Sequence, residues 1–201
     1  MMQGSPTMFL IDFFKRTKGV VTIEFAVALV AMFSITFFAL DTGMYILEKN
    51  KLERTNYSLI SLIRERTRLY NNENTVTQIE VNNLTQATKL LIGSALVDNL
   101  KIRVDGIYFD EYSPQSQQTV AKTVSLISQQ ASTLTDSACF DGLSPINDLK
   151  KYSVWVDPKG WTTVFRVTIC APNRNNTPFV YFQPGDHPTT VLVTSSVGIL
   201  R

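Results

Sequence analysis

The longest apolar stretch lies near the start of the chain. Val20–Leu40 reads VVTIEFAVALVAMFSITFFAL, with one charge, Glu24, and no Gly or Pro. Coiled as a helix it spans roughly 31 Å, which matches the hydrocarbon core of a bilayer. It is longer than the apolar core of a cleaved secretory signal and no small-residue A-x-A site follows it, so it is expected to stay as an anchor. Past Leu40 the pattern becomes amphipathic. Tyr45, Leu52 and Leu59 recur every seven residues, and Leu62, Ile63, Leu69 and Tyr70 extend the stripe. Glu48/Lys51 and Glu65/Arg68 set opposite charges three residues apart. The prediction is a continuous helix from Val20 to Tyr70, roughly 75 Å long, stopped by the loop-forming cluster Asn71–Asn74.

A second helix is predicted over Val76–Val97. Thr77 and Glu80 fit a capping box, and Ile79, Leu84, Ala87, Leu90, Leu91 and Ala95 are expected to face inward. Leu100–Val104 then alternates as a half-buried strand does, and Ile107–Tyr112 continues it beyond a turn or bulge at Asp105-Gly106. Val120, Val124, Ile127, Ala131 and Leu134 have helical spacing, which predicts a helix over Gln117–Thr135. Strands are expected at Tyr152–Val156, Thr162–Ala171 and Val191–Leu200. Asp157–Gly160 is a turn between the first two, and Asn173–Pro178 reads as a surface loop. The fold class is α+β: a long N-terminal transmembrane and amphipathic helix, then a small domain of mixed helix and antiparallel sheet. The expected divisions are a leader at 1–19, a spine helix at 20–70 and a folded domain at 71–201.

Charge orients this layout. Lys15, Arg16 and Lys18 precede the apolar run, while Asp41, Glu48, Lys49, Lys51, Glu53 and Arg54 follow it with mixed sign. The positive-inside rule puts the N-terminus in the cytoplasm and the rest outside. The leader's own apolar patch, Met8–Ile11 with Phe13 and Phe14, is too short to span and fits the inner membrane face. A net charge of +2 over 201 residues gives no reason to expect a nucleic-acid partner. The two cysteines are Cys139, expected in a loop, and Cys170, at a strand end. Behind an anchor facing an oxidising compartment they are expected to pair, with two separate buried thiols as the alternative.

The junction Lys18-Gly19-Val20-Val21-Thr22-Ile23-Glu24-Phe25 resembles the processing site of bacterial class III prepilins. A basic leader, a Gly, four residues, a Glu and a long apolar helix make up that pattern. Glu24 followed by Phe25 is similar to the TadE/TadF pseudopilins of the tight-adherence (Flp) pilus. The arrangement of a loop Cys139, a later strand-borne Cys170 and an Arg near the C-terminus is similar to TadF-type sequences in particular. The resemblance implies cleavage between Gly19 and Val20 by a prepilin peptidase, with Glu24 as fifth residue of the mature chain. It implies a minor pilin in the inner membrane, with the domain periplasmic. Its partners would be other pilins and pseudopilins, the assembly platform and lipid. Physically, Gly19 admits close approach of a protease and resists helix continuation. Glu24 is costly in hydrocarbon, by roughly 2.5–3.5 kcal/mol at the centre, and the α-ammonium of a processed subunit suits it as a partner.

Enzyme chemistry finds little support. No G-x-S-x-G, H-E-x-x-H, Walker A loop or G-x-G-x-x-G is present. His187 is the single histidine and reads as a solvated loop residue, and two Cys with one His do not make a zinc site. Asp110-Glu111 reads as a solvated strand end. Trp155, Trp161, Phe179, Tyr181 and Phe182 read as sheet core in preference to a binding face. Asn56-Tyr-Ser and Asn83-Leu-Thr match a glycosylation pattern that carries little weight if the source is bacterial. No cofactor is expected. Alternatives to a minor pilin are an unprocessed single-pass scaffold of a secretion complex and, far behind, a membrane-anchored hydrolase or sensor.

Overall fold

The computed structural model describes residues 17–65, 75–93, 99–111, 113–129, 132–158, 160–172 and 191–200, with side chains from Val21 onward. In chain order the elements are α1 (Thr17–Arg64), α2 (Gln78–Ile92), β1 (Lys101–Phe109), β2 (Val120–Ile127), α3 (Asp136–Phe140), a 3-10 helix (Ile146–Tyr152), β3 (Trp155–Val156), β4 (Gly160–Trp161), β5 (Val164–Pro172) and β6 (Val191–Ile199). The fold is α+β. Contacts divide the chain into two units, Met1–Tyr45 and Ile46–Arg201.

In the first unit α1 begins at Thr17 and runs through Gly19. The expectation that this glycine resists helix continuation is corrected. One interior Gly costs only about 1 kcal/mol relative to Ala, less than the cooperativity of a long helix supplies.

The second unit is built on a four-stranded antiparallel sheet of order β2-β1-β5-β6. One face carries Ile102, Val104 and Tyr108 of β1 beside Phe165, Val167 and Ile169 of β5, all buried. Gly106 sits opposite Phe165. A Cβ there would lie 3.1 Å from Phe165 Cε1, so the glycine lets the ring lie across the strand. Tyr108 meets the same ring edge-on, centroids 5.8 Å apart. α2 covers this face over β1 and β2. From the same unit, α1 buries Leu52, Leu59, Ile60 and Ile63 and meets β6 at Gly198, where a Cβ would lie 2.8 Å from Ile60 Cγ1.

The opposite face is covered by the segment between β2 and β5. Leu149 of the 3-10 helix joins Ile107, Phe109 and Val164 in one apolar cluster, with Trp161 and Ile199 packed against it. Cys139 and Phe140 of α3 join Cys170 in a second. The β3–β4 hairpin sets Trp155 against Trp161 edge-on at 5.7 Å.

Several local expectations are overturned. Val120–Ile127 is a strand, not part of a helix over Gln117–Thr135. Its β-branched residues suit the pleat, and pairing with β1 decides the outcome. Asp105-Gly106 is no turn: β1 runs through it, and the one irregularity lies at Tyr108/Phe109. Tyr152 ends a 3-10 helix, and only Trp155–Val156 of the expected Tyr152–Val156 strand is extended into pairing. Cys139 lies on α3, not in a loop.

α2 has the predicted capping box at Thr77 and Glu80, but its inward face is rotated. Val81, Leu84, Thr85, Thr88 and Ile92 are buried, whereas Ile79, Leu90 and Leu91 are exposed, Leu90 to 85%. Thr85 and Thr88 enter the core because each hydroxyl donates to the carbonyl four residues back, at 2.8 and 2.7 Å. On α1 the expected Glu48/Lys51 pair is absent, and Lys49 instead pairs with Glu53. Arg68, Leu69, Tyr70, the 71–74 loop, Ala95, His187 and the 173–178 loop with Phe179, Tyr181 and Phe182 lie outside the described residues.

Candidate functional site

The candidate site is the apolar part of α1, and its character follows from what its side chains touch. Phe25, Val27, Val30, Met32, Phe33, Ile35, Phe37 and Leu40 are each at least half exposed. A helix so apolar and so uncovered is stable only where its surroundings are apolar too. It is also the one helix among the described residues long and apolar enough, by length and composition, to cross a membrane.

Three hydroxyls along α1 fit the same solvent. Ser34 donates to Val30 O at 2.8 Å, Thr36 to Met32 O at 2.9 Å and Thr42 to Phe38 O at 2.9 Å. Each is satisfied inside its own helix, which removes most of the cost of placing it in lipid. Among the described residues Glu24 has no such internal partner, and it stands exposed on the helix next to the exposed Phe25. It is the only charge between Val21 and Leu40. Gly19 and Val20 lie on the helical backbone one turn earlier.

The remaining expected site residues lie in the second unit. Cys139 and Cys170 are joined by a disulfide, 31 residues apart in sequence. The bond fastens α3 to β5, beside Phe140, Leu134 and Val191. Asp110 and Glu111 follow β1 at the surface. Among the described residues no group of three or more His, Cys, Asp or Glu could hold a metal ion.

One constellation was not foreseen. Asp105 is fully buried in the middle of β1, and Arg166 sits opposite it on β5, also buried. Asp105 Oδ2 accepts from Arg166 Nε at 2.9 Å and Nη2 at 2.6 Å. Its Oδ1 accepts from Arg103 Nε at 2.8 Å and from Ser125 Oγ at 2.7 Å. Arg166 Nη1 reaches on to Ser144 O at 2.7 Å. The group ties β1, β2 and β5 to the covering segment, so its chemistry is architectural. The signal available in sequence was Asp105 and Arg103 inside an apolar alternation; the partner Arg166 lies 61 residues away.

A family model described as tight adherence pilin protein F (TadF) matches residues 12–201. No curated protein matches, and no solved structure does.

Proposed function

This chain belongs to the tight adherence pilin F (TadF) family, and from that membership we propose that it is a minor pilin or pseudopilin required for assembling an adhesive Flp-type pilus. The observation that carries the reading is the uncovered apolar helix. Val21–Leu40 is finished as a lipid-facing or helix-facing rod, while the second unit closes its own core around a disulfide-fastened sheet. Such a helix supplies packing contacts to neighbouring pilin helices, where close side-chain fit and buried polar pairs decide association.

In this reading Met1–Gly19 is a cytoplasmic leader that a prepilin peptidase removes between Gly19 and Val20. Residues 20–40 span the inner membrane, and residues 71–201 belong to the periplasmic domain. The carboxylate of Glu24 pairs with the α-ammonium of a processed subunit, and Phe25 packs beside it. The partners are other pilins, the assembly platform and lipid, and no cofactor takes part. The role is structural, not enzymatic.

Gly19→Arg tests this directly. It is expected to leave the leader attached and to abolish piliation. Accumulation of mature-size protein in that variant sinks the processing claim. The second reading, an unprocessed single-pass scaffold of a secretion complex, draws on the unbroken helix from Thr17 through Gly19. Mass spectrometry of the N-terminus recovered from membranes separates the two: Val20 supports processing, and an intact leader supports the scaffold.

A further inference from the structure

The buried side-chain nitrogen and oxygen atoms that lack a hydrogen-bond partner among the described residues all belong to one element. They are Glu48 Oε2, Asn56 Nδ2, Asn56 Oδ1 and Arg64 Nε, all on α1 in the second unit. Asn56 is the extreme case, fully buried with both ends of its carboxamide unpaired. It shares its stripe with Leu52, Leu59, Ile60 and Ile63. A carboxamide carries two donors and two lone pairs, and leaving them unmet in a low-dielectric interior destabilises the docked state.

The fastening of α1 points the same way. From Lys49 to Arg64, among the described residues, the side-chain hydrogen bonds and the ion pair stay within the helix. Thr55 donates to Lys51 O, Ser58 to Arg54 O and Ser61 to Tyr57 O, and Lys49 pairs with Glu53. The other elements on the sheet are cross-linked to it or to its strand ends. Val76 N, just before α2, donates to Tyr108 Oη at 2.8 Å, and Gln78 Nε2 of α2 donates to Ile127 O at 2.8 Å. On the opposite face, Arg166 holds Ser144, and the disulfide holds α3. Among the described residues, what holds Leu52–Ile63 to the sheet is apolar contact.

We propose that the docked part of α1, Leu52–Ile63, is a releasable strap: it lifts from the sheet in an opening that leaves β1, β5, α2 and the disulfide-fastened cover folded. Opening returns Asn56 to water, which restores its hydrogen bonds. It also frees α1 to follow neighbouring helices while the sheet keeps its shape.

The test is native-state hydrogen–deuterium exchange on the full chain in lipid nanodiscs, corrected for intrinsic rates. The amides of Leu52–Ile63 are expected to open at least about tenfold more often than those of Val164–Ala171. Asn56→Leu is expected to slow the α1 amides by about tenfold or more. Leu149→Ala, on the opposite face, is expected to speed β5 exchange and leave the α1 amides unchanged. Equal protection of α1 and β5 in the wild type, or α1 and β5 moving together under Leu149→Ala, makes them one cooperative unit and overturns the strap. Unchanged α1 exchange in a folded Asn56→Leu also overturns it, because the amide would then already be satisfied, for instance by a buried water. If Asn56→Leu does not fold, the wild-type ratio and Leu149→Ala still decide.

Discussion

Replacing Asp105 by Ala removes the acceptor of four hydrogen bonds, two from Arg166 and one each from Arg103 and Ser125. Arg103 is partly exposed and can turn to solvent, and Ser125 is exposed. Arg166 cannot, because its side chain is only 4% exposed. The dominant cost is therefore a guanidinium left buried without its counter-ion, roughly 3–5 kcal/mol. For a domain of this size each kcal/mol moves Tm by about 2–4 °C, so the expected fall is about 6–20 °C. Thermal and urea denaturation of the full chain in detergent micelles, followed by circular dichroism, measures it. The double variant Asp105→Leu/Arg166→Met removes both charges and keeps the volume filled. It is expected to recover most of the loss, since a buried pair often does no better than apolar residues of its size. Ser144, the other partner of Arg166, is exposed and takes water instead. A loss under about 1 kcal/mol in Asp105→Ala would mean that this face is wet and that the pair is worth no more than a surface one. A double variant no more stable than the single one would show that the charges themselves, not the burial of an unpaired one, set the effect.

Further outcomes follow from the same structure. Cys139→Ser/Cys170→Ser opens a 31-residue link and is expected to cost about 3–4 kcal/mol; a wild-type Tm unchanged by reductant contradicts this. Gly198→Val adds a Cβ 2.8 Å from Ile60 Cγ1 and is expected to destabilise by about 1–3 kcal/mol through overpacking. The sign is diagnostic, because strand propensity alone would make this variant neutral or better. Glu24→Leu is expected to leave N-terminal processing intact and to abolish incorporation with other pilins, read by co-purification; normal incorporation removes Glu24 from the assembly contact.

What could be read in the sequence was what is decided locally. The apolar run needed only length and the absence of breakers. The α2 start needed only Thr77 and Glu80, which satisfy each other's backbone amides within one turn. Where the structure departs from the sequence pattern, the deciding contact lies at a distance. Val120, Val124 and Ile127 are spaced for a helix, yet β1 supplies a ladder and they extend. Asp105-Gly106 carries a turn's chemistry, yet Arg166 and Phe165, about 60 residues on, require a buried carboxylate and a bare Cα at those positions. The rotation of α2 has a similar cause. Counting apolar residues favours Ile79 and Leu90, but threonines that bond backward serve as core residues and displace them.

Those backward bonds matter differently in the apolar half of α1. A hydroxyl has one proton to give and two lone pairs to offer. Ser34, Thr36 and Thr42 each commit that proton to a carbonyl of their own helix. What they present outward is acceptor character alone. To a neighbour in the bilayer these three positions are one-way: each can receive a hydrogen bond but cannot return one. Two copies meeting at these three hydroxyls have no proton to exchange there unless one gives up an internal bond. A companion helix bearing an amide, an indole N–H or an amine at the matching depth supplies the donor that these three hydroxyls lack.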